Sequence, residues 1–76
     1  MKCTYQRVAE NPTTYETEYL KVVLRRIDQS IEINERQTDY NLRYGFQPSE
    51  ANENYHNMLC DCRGVIFTEL TNRSAV

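Results

Sequence analysis

Glycine and proline are scarce in this chain, and their positions leave a long stretch without a helix breaker. There are two of each, and neither residue occurs between Pro12 and Gly45. Both destabilise helix interiors, proline by removing a backbone donor and glycine by its larger loss of conformational entropy. The segment from Thr13 to Tyr44 is therefore predicted to form one uninterrupted helix.

The sequence also lacks the features of a membrane or secreted protein. No apolar run approaches the roughly 18 residues of a membrane span. The opening residues, MKCTYQRVAENP, contain no apolar core of a secretory signal. We therefore expect a cytoplasmic protein that makes no membrane contact and keeps its three cysteines reduced.

Motifs for metal binding are missing as well, because the chain has no CxxC pair and a single histidine. The candidate zinc ligands are His56, Cys60 and Cys62, with Cys3 from the N-terminal segment. A zinc site needs four ligands that converge on one point. Cys60 and Cys62, two positions apart on a helix, point about 160° away from each other. We expect no metal and no other cofactor, with Cys62 in the core.

Cys60 and His56 are four positions apart, which is a spacing that a nucleophile and its base can use on a helix. The sequence offers no orienting carboxylate with an evident reason to lie beside them, and no glycine-rich oxyanion loop. A chain of 76 residues also has little length from which to shape a pocket. The predicted protein is therefore not an enzyme.

The predicted long helix has recognisable start and stop signals. Thr13 followed by Glu16 is the pattern of a capping box, and Gly45 suits the left-handed position that ends a helix. Beyond Gln37 a short strand is the alternative, because apolar and polar residues alternate over residues 40–46. We favour the helix.

Two apolar stripes run along this helix, and together they span about 200°, roughly twice what one neighbouring helix covers. The main stripe contains Leu20, Val23, Leu24, Ile27, Ile31 and Leu42. The second contains Tyr15, Tyr19, Val22, Ile33, Tyr40 and Tyr44, with Arg26 among them. Tyrosine and arginine are enriched at protein interfaces. We assign partner binding to Tyr15, Tyr19, Arg26, Tyr40 and Tyr44, and an oligomer interface to Val22, Ile33 and Phe67.

The whole chain is predicted to be one small helical domain. Its parts are an N-terminal arm (1–12), the first helix (13–44), a loop (45–48), a second helix (49–70) and a frayed tail (71–76). Ser49 is the expected N-cap of the second helix, and Gly64 either breaks that helix or permits close helix contact. The apolar face of the second helix contains Ala51, Tyr55, Met58, Leu59, Cys62, Val65, Ile66 and Leu70.

The expected fold is all-α, a long antiparallel two-helix hairpin paired into a dimeric helical bundle. The expected function is a non-enzymatic protein–protein interaction. The chain would be a small adaptor, or an inhibitor of the kind phages and mobile elements encode, that occludes the surface of a larger protein. The alternative is a nucleotide or nucleic-acid binding module in which tyrosine and arginine stack on bases. Acidic neighbours around Arg25 and Arg26 and a net charge of −2 disfavour it.

Overall fold

The computed structural model describes residues 3–75, which form helices and no strand, so the all-α prediction is confirmed over that range. The elements are α1 (Thr4–Glu10), a 3₁₀ turn (Pro12–Thr14), α2 (Thr17–Arg43) and α3 (Glu50–Asn72). The molecule is elongated, with principal extents of 44 × 26 × 15 Å. Within the described range, no helix combines the length and the apolar character needed to cross a membrane. Met1 and Lys2 of the predicted arm and Val76 of the predicted tail lie outside that range.

The predicted start of the long helix is wrong. A 3₁₀ turn occupies residues 12–14, and Glu16 after it has extended backbone angles (φ −69°, ψ 151°). Because Thr13 lies inside the turn, it cannot cap the long helix, and the capping box with Glu16 does not form. The N-cap is Glu16 itself, without a side-chain hydrogen bond, and α2 begins at Thr17.

The predicted end of the long helix is confirmed to within one residue. α2 continues past Gln37 to Arg43, so the strand alternative is wrong. Gly45 adopts the left-handed conformation (φ +83°), and the Phe46 N–H donates to the Asn41 carbonyl at 2.9 Å. This hydrogen bond closes a Schellman motif and satisfies a carbonyl of the last helical turn.

Helix α3 begins within one residue of the predicted start but ends two residues later than predicted. The Ser49 hydroxyl accepts a hydrogen bond from the Asn52 N–H at 3.1 Å, which confirms Ser49 as the N-cap. The helix continues to Asn72, and the Ala75 N–H then donates to the Leu70 carbonyl at 2.9 Å. The prediction of a frayed tail from residue 71 is therefore wrong for the described residues.

Gly64 lies within α3, and neither of its predicted roles is found. The helix continues through it, and outside the helix's own backbone no heavy atom lies within 4 Å of the place a Cβ would occupy. Gly64→Ala is therefore expected to raise the free energy of unfolding by up to about 1 kcal/mol, because alanine loses less backbone entropy in a helix. Urea unfolding measures this change.

Gly45→Ala is the matched control for that substitution. It also places a methyl group in open space, but at φ +83°, where an L-residue is strained. We expect Gly45→Ala to lower the free energy of unfolding. If both substitutions lower it, Gly64 has a role that its surroundings do not show.

The N-terminal arm is ordered as the short helix α1 over its described residues, which the sequence left open. The Cys3 N–H donates to the Gln6 side-chain oxygen at 3.0 Å, which supports the first turn. Val8 is buried in the core with 1 % of its surface exposed. Tyr5 and Ala9 pack beside it, so α1 covers one side of α2 and α3.

The buried core lies at the end of the molecule where all three helices meet. It contains Val8, Leu20, Val23, Ile27, Leu59, Cys62, Ile66 and Leu70. Leu24, Ile31 and Met58 are partly buried against it. Four residues predicted for the core are exposed instead, namely Leu42, Ala51, Tyr55 and Val65, because they lie nearer the loop or at the margin of the contact.

Candidate functional site

One side of α2 keeps large side chains in solvent along the whole helix. At about 100° per residue, these positions fall within an arc of roughly 60° whose centre lies about 120° from the buried side. We name them the tyrosine stripe: Tyr19, Val22, Arg26, Ile33, Tyr40 and Tyr44. Tyr19 and Val22 are each 42 % exposed, and Tyr44 reaches 65 %. The stripe is about 37 Å long.

Tyrosine rings are paired at both ends of this side of the helix. Tyr15 and Tyr19 stack with ring centroids 5.3 Å apart and planes 17° apart. Tyr40 and Tyr44 pack with centroids 4.7 Å apart and a tilt of 41°. Tyr15, which precedes α2, is half-buried against the core, whereas Tyr40 and Tyr44 lie largely in solvent. The pair near the loop is therefore the more accessible one.

The residues predicted for an oligomer interface do not lie on one side of the molecule. Val22 and Ile33 belong to the tyrosine stripe, but Phe67 does not. Next to Phe67, Arg63 donates through Nε to Asp28 at 2.5 Å, and its guanidinium carbon lies 5.5 Å from the Phe67 ring centroid. Asp28 lies about 150° around α2 from the centre of the stripe. Phe67 is therefore on another side, partly covered by Arg63.

Toward the loop, α2 and α3 are joined by polar side chains. Asn34 donates to the Asn52 side-chain oxygen at 2.8 Å, and the Asn52 amide donates to the Thr38 hydroxyl at 3.1 Å. Asn34 and Thr38 lie on the same side of α2 as the buried Ile27, a signal that the helical wheel contained. Half-buried polar contacts of this kind can specify how two helices align.

His56 has a carboxylate neighbour that the sequence analysis did not identify. Its Nε2 lies 3.1 Å from Glu35 on α2, and the Cys60 sulfur lies 3.9 Å from Nδ1 and 4.0 Å from Nε2. A thiol directed at one nitrogen in the ring plane would lie clearly farther from the other. The nearly equal distances therefore describe packing of Cys60 against the ring, and they lack the directed hydrogen bond of a nucleophile and its base.

Three sulfur atoms meet between the start of α1 and the middle of α3. The Met58 sulfur lies 3.7 Å from the Cys62 sulfur and 4.0 Å from the Cys3 sulfur. Cys62 is buried and Cys3 is exposed. Burial raises the pKa of the Cys62 thiol above its ordinary value, and the nearby Cys3 and Asp61 raise it further. Cys62 lies in the core as predicted, but its closeness to Cys3 was not foreseen.

Arg73, which the sequence analysis placed in a frayed tail, joins the two ends of the chain. Its guanidinium donates to the carbonyls of Tyr15 at 2.8 Å and Pro12 at 3.1 Å, and to the Thr17 hydroxyl at 3.2 Å. Its Nε donates to Glu69 at 2.8 Å, and both side chains of this ion pair are mostly shielded from solvent. The Pro12–Thr17 segment is thereby held against the end of α3.

The candidate sites therefore differ in what they can do chemically. The tyrosine stripe has the size and composition of a contact surface. Among the described residues, no three histidine, cysteine, aspartate or glutamate side chains converge as a metal site. Comparisons of the chain with known protein families, with curated proteins and with solved structures gave no match.

Proposed function

We propose that this chain is a non-enzymatic protein–protein interaction protein whose contact surface is the tyrosine stripe. The observation that carries the proposal is the exposure of this stripe over six turns or more of α2. An exposed row of large apolar side chains is uncommon on a monomer and is typical of surfaces that another molecule covers. The chain would act in the cytoplasm as a small adaptor or an inhibitor, of phage or mobile-element type, by occluding a larger protein's surface.

The ring contacts support this assignment through the entropy of binding. A free tyrosine side chain loses rotamer freedom when a partner immobilises it, and each such loss weakens association. Tyr40 and Tyr44 already restrict each other in the free chain through their ring contact at 4.7 Å. Their hydroxyl groups can still form hydrogen bonds at the rim of an interface. We therefore assign the main contact with the partner to Tyr40 and Tyr44.

The proposal includes the arrangement and the assembly of the two long helices. An antiparallel hairpin is supported by cross-helix contacts whose residue numbers run in opposite directions: Asp28 with Arg63, Glu35 with His56, and Thr38 with Asn52. Self-association is supported by the length of the stripe, which neither α1 nor α3 covers fully. A dimer that buries only Tyr19 and Val22 leaves the Tyr40–Tyr44 pair exposed for the partner. A dimer that buries the whole stripe leaves no part of it for a partner, and the stripe then serves only to hold the dimer together.

The double substitution Tyr40→Ala/Tyr44→Ala tests the contact. We expect helicity by circular dichroism to be retained, because both side chains are largely exposed. We expect affinity for the partner to fall by about 2 kcal/mol or more, roughly thirty-fold. The partner is first captured from the native host and identified by mass spectrometry. Its affinity for each variant is then measured by calorimetry with purified proteins.

Phe67→Ala is the matched control, because Phe67 is an aromatic residue of α3 that is 38 % exposed and lies on another side of the molecule. It should leave the affinity unchanged. Full-strength binding by the double variant would contradict the proposed contact. If the captured partner is nucleic acid and binding falls steeply with salt, the nucleic-acid function replaces this one.

Light scattering coupled to size exclusion tests the assembly in the same preparations. The measurement is made at about 100 μM, because association depends on concentration. A mass above the 9.0 kDa of one chain supports self-association. A clean monomer contradicts it and leaves the whole stripe to the partner. If the wild type is a dimer and the double variant is a monomer, the loop end of the stripe belongs to the dimer interface.

A further inference from the structure

The cluster of Cys3, Met58 and Cys62 is a concentration of soft ligands that the interaction surface does not use. We propose that these three side chains bind one Cu(I) ion. The site would be built from two elements that are distant in sequence, the first residue of the described chain and the middle of α3. Cys3 lines a groove together with Arg26 of the tyrosine stripe. None of the three ligands belongs to the stripe, so metal binding is a property of the chain beyond the proposed function.

The spacing of the sulfur atoms fits a single metal ion. Metal–thiolate distances are about 2.3 Å for zinc. Three sulfurs at that distance around one ion in a trigonal plane lie roughly 4.0 Å from one another, by simple geometry. The Met58 sulfur lies 4.0 Å from that of Cys3 and 3.7 Å from that of Cys62. Both distances from the Met58 sulfur are therefore those of a trigonal site, and binding requires the Cys3 and Cys62 sulfurs to take up a similar separation.

The donor set selects a soft ion. Thiolates and thioethers together favour Cu(I), whereas zinc prefers four nitrogen, thiolate or carboxylate ligands. The thioether of Met58 is a poor zinc ligand, and no third histidine, cysteine, aspartate or glutamate joins the cysteines among the described residues. The sequence analysis predicted that no metal binds, because it weighed only histidine and cysteine as ligands. The proposed site departs from that prediction through Met58, a ligand that it did not consider.

Two of the three proposed ligands are shielded from water, and Cys3 is the exposed one. Cys62 is buried with 5 % of its surface exposed, and Met58 is partly buried against the core. A groove between α1 and α3, lined in part by Gln6 and Asn57, opens onto Met58 and Cys62 and provides a path for entry. Binding replaces the two thiol protons, which pass to the buffer, and forms two thiolate bonds and one thioether bond.

The test is an anaerobic titration of Cu(I) against bicinchoninate, a chromophoric ligand that competes for the ion. The wild-type chain is expected to take up one equivalent. Removing a residue that only supports a metal ligand typically costs roughly 10–100-fold in affinity. Cys3 is a direct ligand, so Cys3→Ser should bind Cu(I) more than about 100-fold more weakly. This variant is expected to remain folded, because Cys3 is the N-cap of α1 and serine is a preferred residue at that position.

Cys60→Ser is the matched control, since Cys60 is an exposed cysteine on α3, the helix that carries Met58 and Cys62. It should bind Cu(I) as the wild type does, and Met58→Leu should bind more weakly with circular dichroism unchanged. Cu(I) should also raise the melting temperature of the wild type and of Cys60→Ser, but not that of Cys3→Ser. Equal affinities for wild type and Cys3→Ser, or a loss confined to Cys60→Ser, would overturn the proposal.

Discussion

Replacing Ile27 or Leu59 with alanine is expected to lower the free energy of unfolding by about 2–5 kcal/mol. Both side chains are fully buried, with 0 % of their surface exposed, and they come from the two helices that form most of the core. Each substitution removes apolar contacts and leaves a cavity that close-packed neighbours only partly fill. A domain of this size has only about 3–5 kcal/mol from its core, so either variant is expected to be largely unfolded.

Urea unfolding followed by circular dichroism measures this effect, and Ile33→Ala is the matched control. It makes the same change on the same helix, but Ile33 is 60 % exposed in the tyrosine stripe. We expect a loss within about 0.5 kcal/mol for Ile33→Ala, and a similar result for Lys21→Ala. Equal losses at Ile27 and Ile33 would mean that Ile33 is buried in solution, as it would be inside a dimer. A mass measurement would then separate two explanations. A dimer would account for the burial of Ile33, whereas a monomer would mean that the core contains residues other than those that the structure buries.

Arg73→Ala is expected to lower the free energy of unfolding by about 2–4 kcal/mol. The substitution removes the guanidinium donor from the Tyr15 carbonyl, and it leaves Glu69 without its cation. The Pro12 carbonyl loses one of its two donors and keeps the Tyr15 N–H at 3.4 Å. The Glu69 side chain is only 16 % exposed, so water replaces the lost partner poorly. Because the contacts join residues more than fifty positions apart in sequence, their loss should also release the turn before α2.

Arg36→Ala is the control for this prediction. Arg36 pairs with Glu32 one turn away on α2, and its side chain is 76 % exposed. Exposed pairs of this kind contribute about 0.3–0.5 kcal/mol. Hydrogen exchange at the amides of residues 15–17 should increase in Arg73→Ala and remain unchanged in Arg36→Ala. Arg73→Lys is expected to be intermediate, because an ammonium group cannot reproduce the planar set of donors.

Much of the helical framework could be predicted because its signals are local. The glycine at position 45 and the serine at position 49 act on backbone groups within a few residues, so their roles follow from sequence spacing. The ion pairs Glu32–Arg36 and Asp39–Arg43 likewise join residues one turn apart on the same helix. The main apolar stripe likewise identified the buried side of α2, where Leu20, Val23 and Ile27 lie.

The errors occurred where distant residues determine local structure. Thr13 and Glu16 match a capping box, yet Arg73 donates to the carbonyl of the residue just before each of them, and the chain forms a 3₁₀ turn there. A capping box contributes only about 1 kcal/mol, which several hydrogen bonds to a shielded guanidinium outweigh. No feature near Thr13 in the sequence indicates that Arg73 will be its neighbour.

The candidate sites show the same division. The tyrosine stripe was predictable because a helical period alone places its members on one side of α2. Glu35 beside His56 and Cys3 beside Met58 were not predictable, because each contact joins different helices. For Met58 the wheel correctly indicated a position on the side facing the core, and only the packing of α1 brought a second thiol to its sulfur.

By itself, the sequence determined that the described chain is helical, where α2 ends and α3 begins, and which sides of them are apolar. These properties depend on backbone chemistry and on periodicity over a few turns. The tertiary structure alone decided that the N-terminal segment folds as α1, that α2 begins at Thr17, and that Arg73 joins the chain ends. It also decided that Cys3 meets Met58. Each of these depends on contacts between residues far apart in sequence, whose free energies exceed local preferences only once the core has brought the helices together.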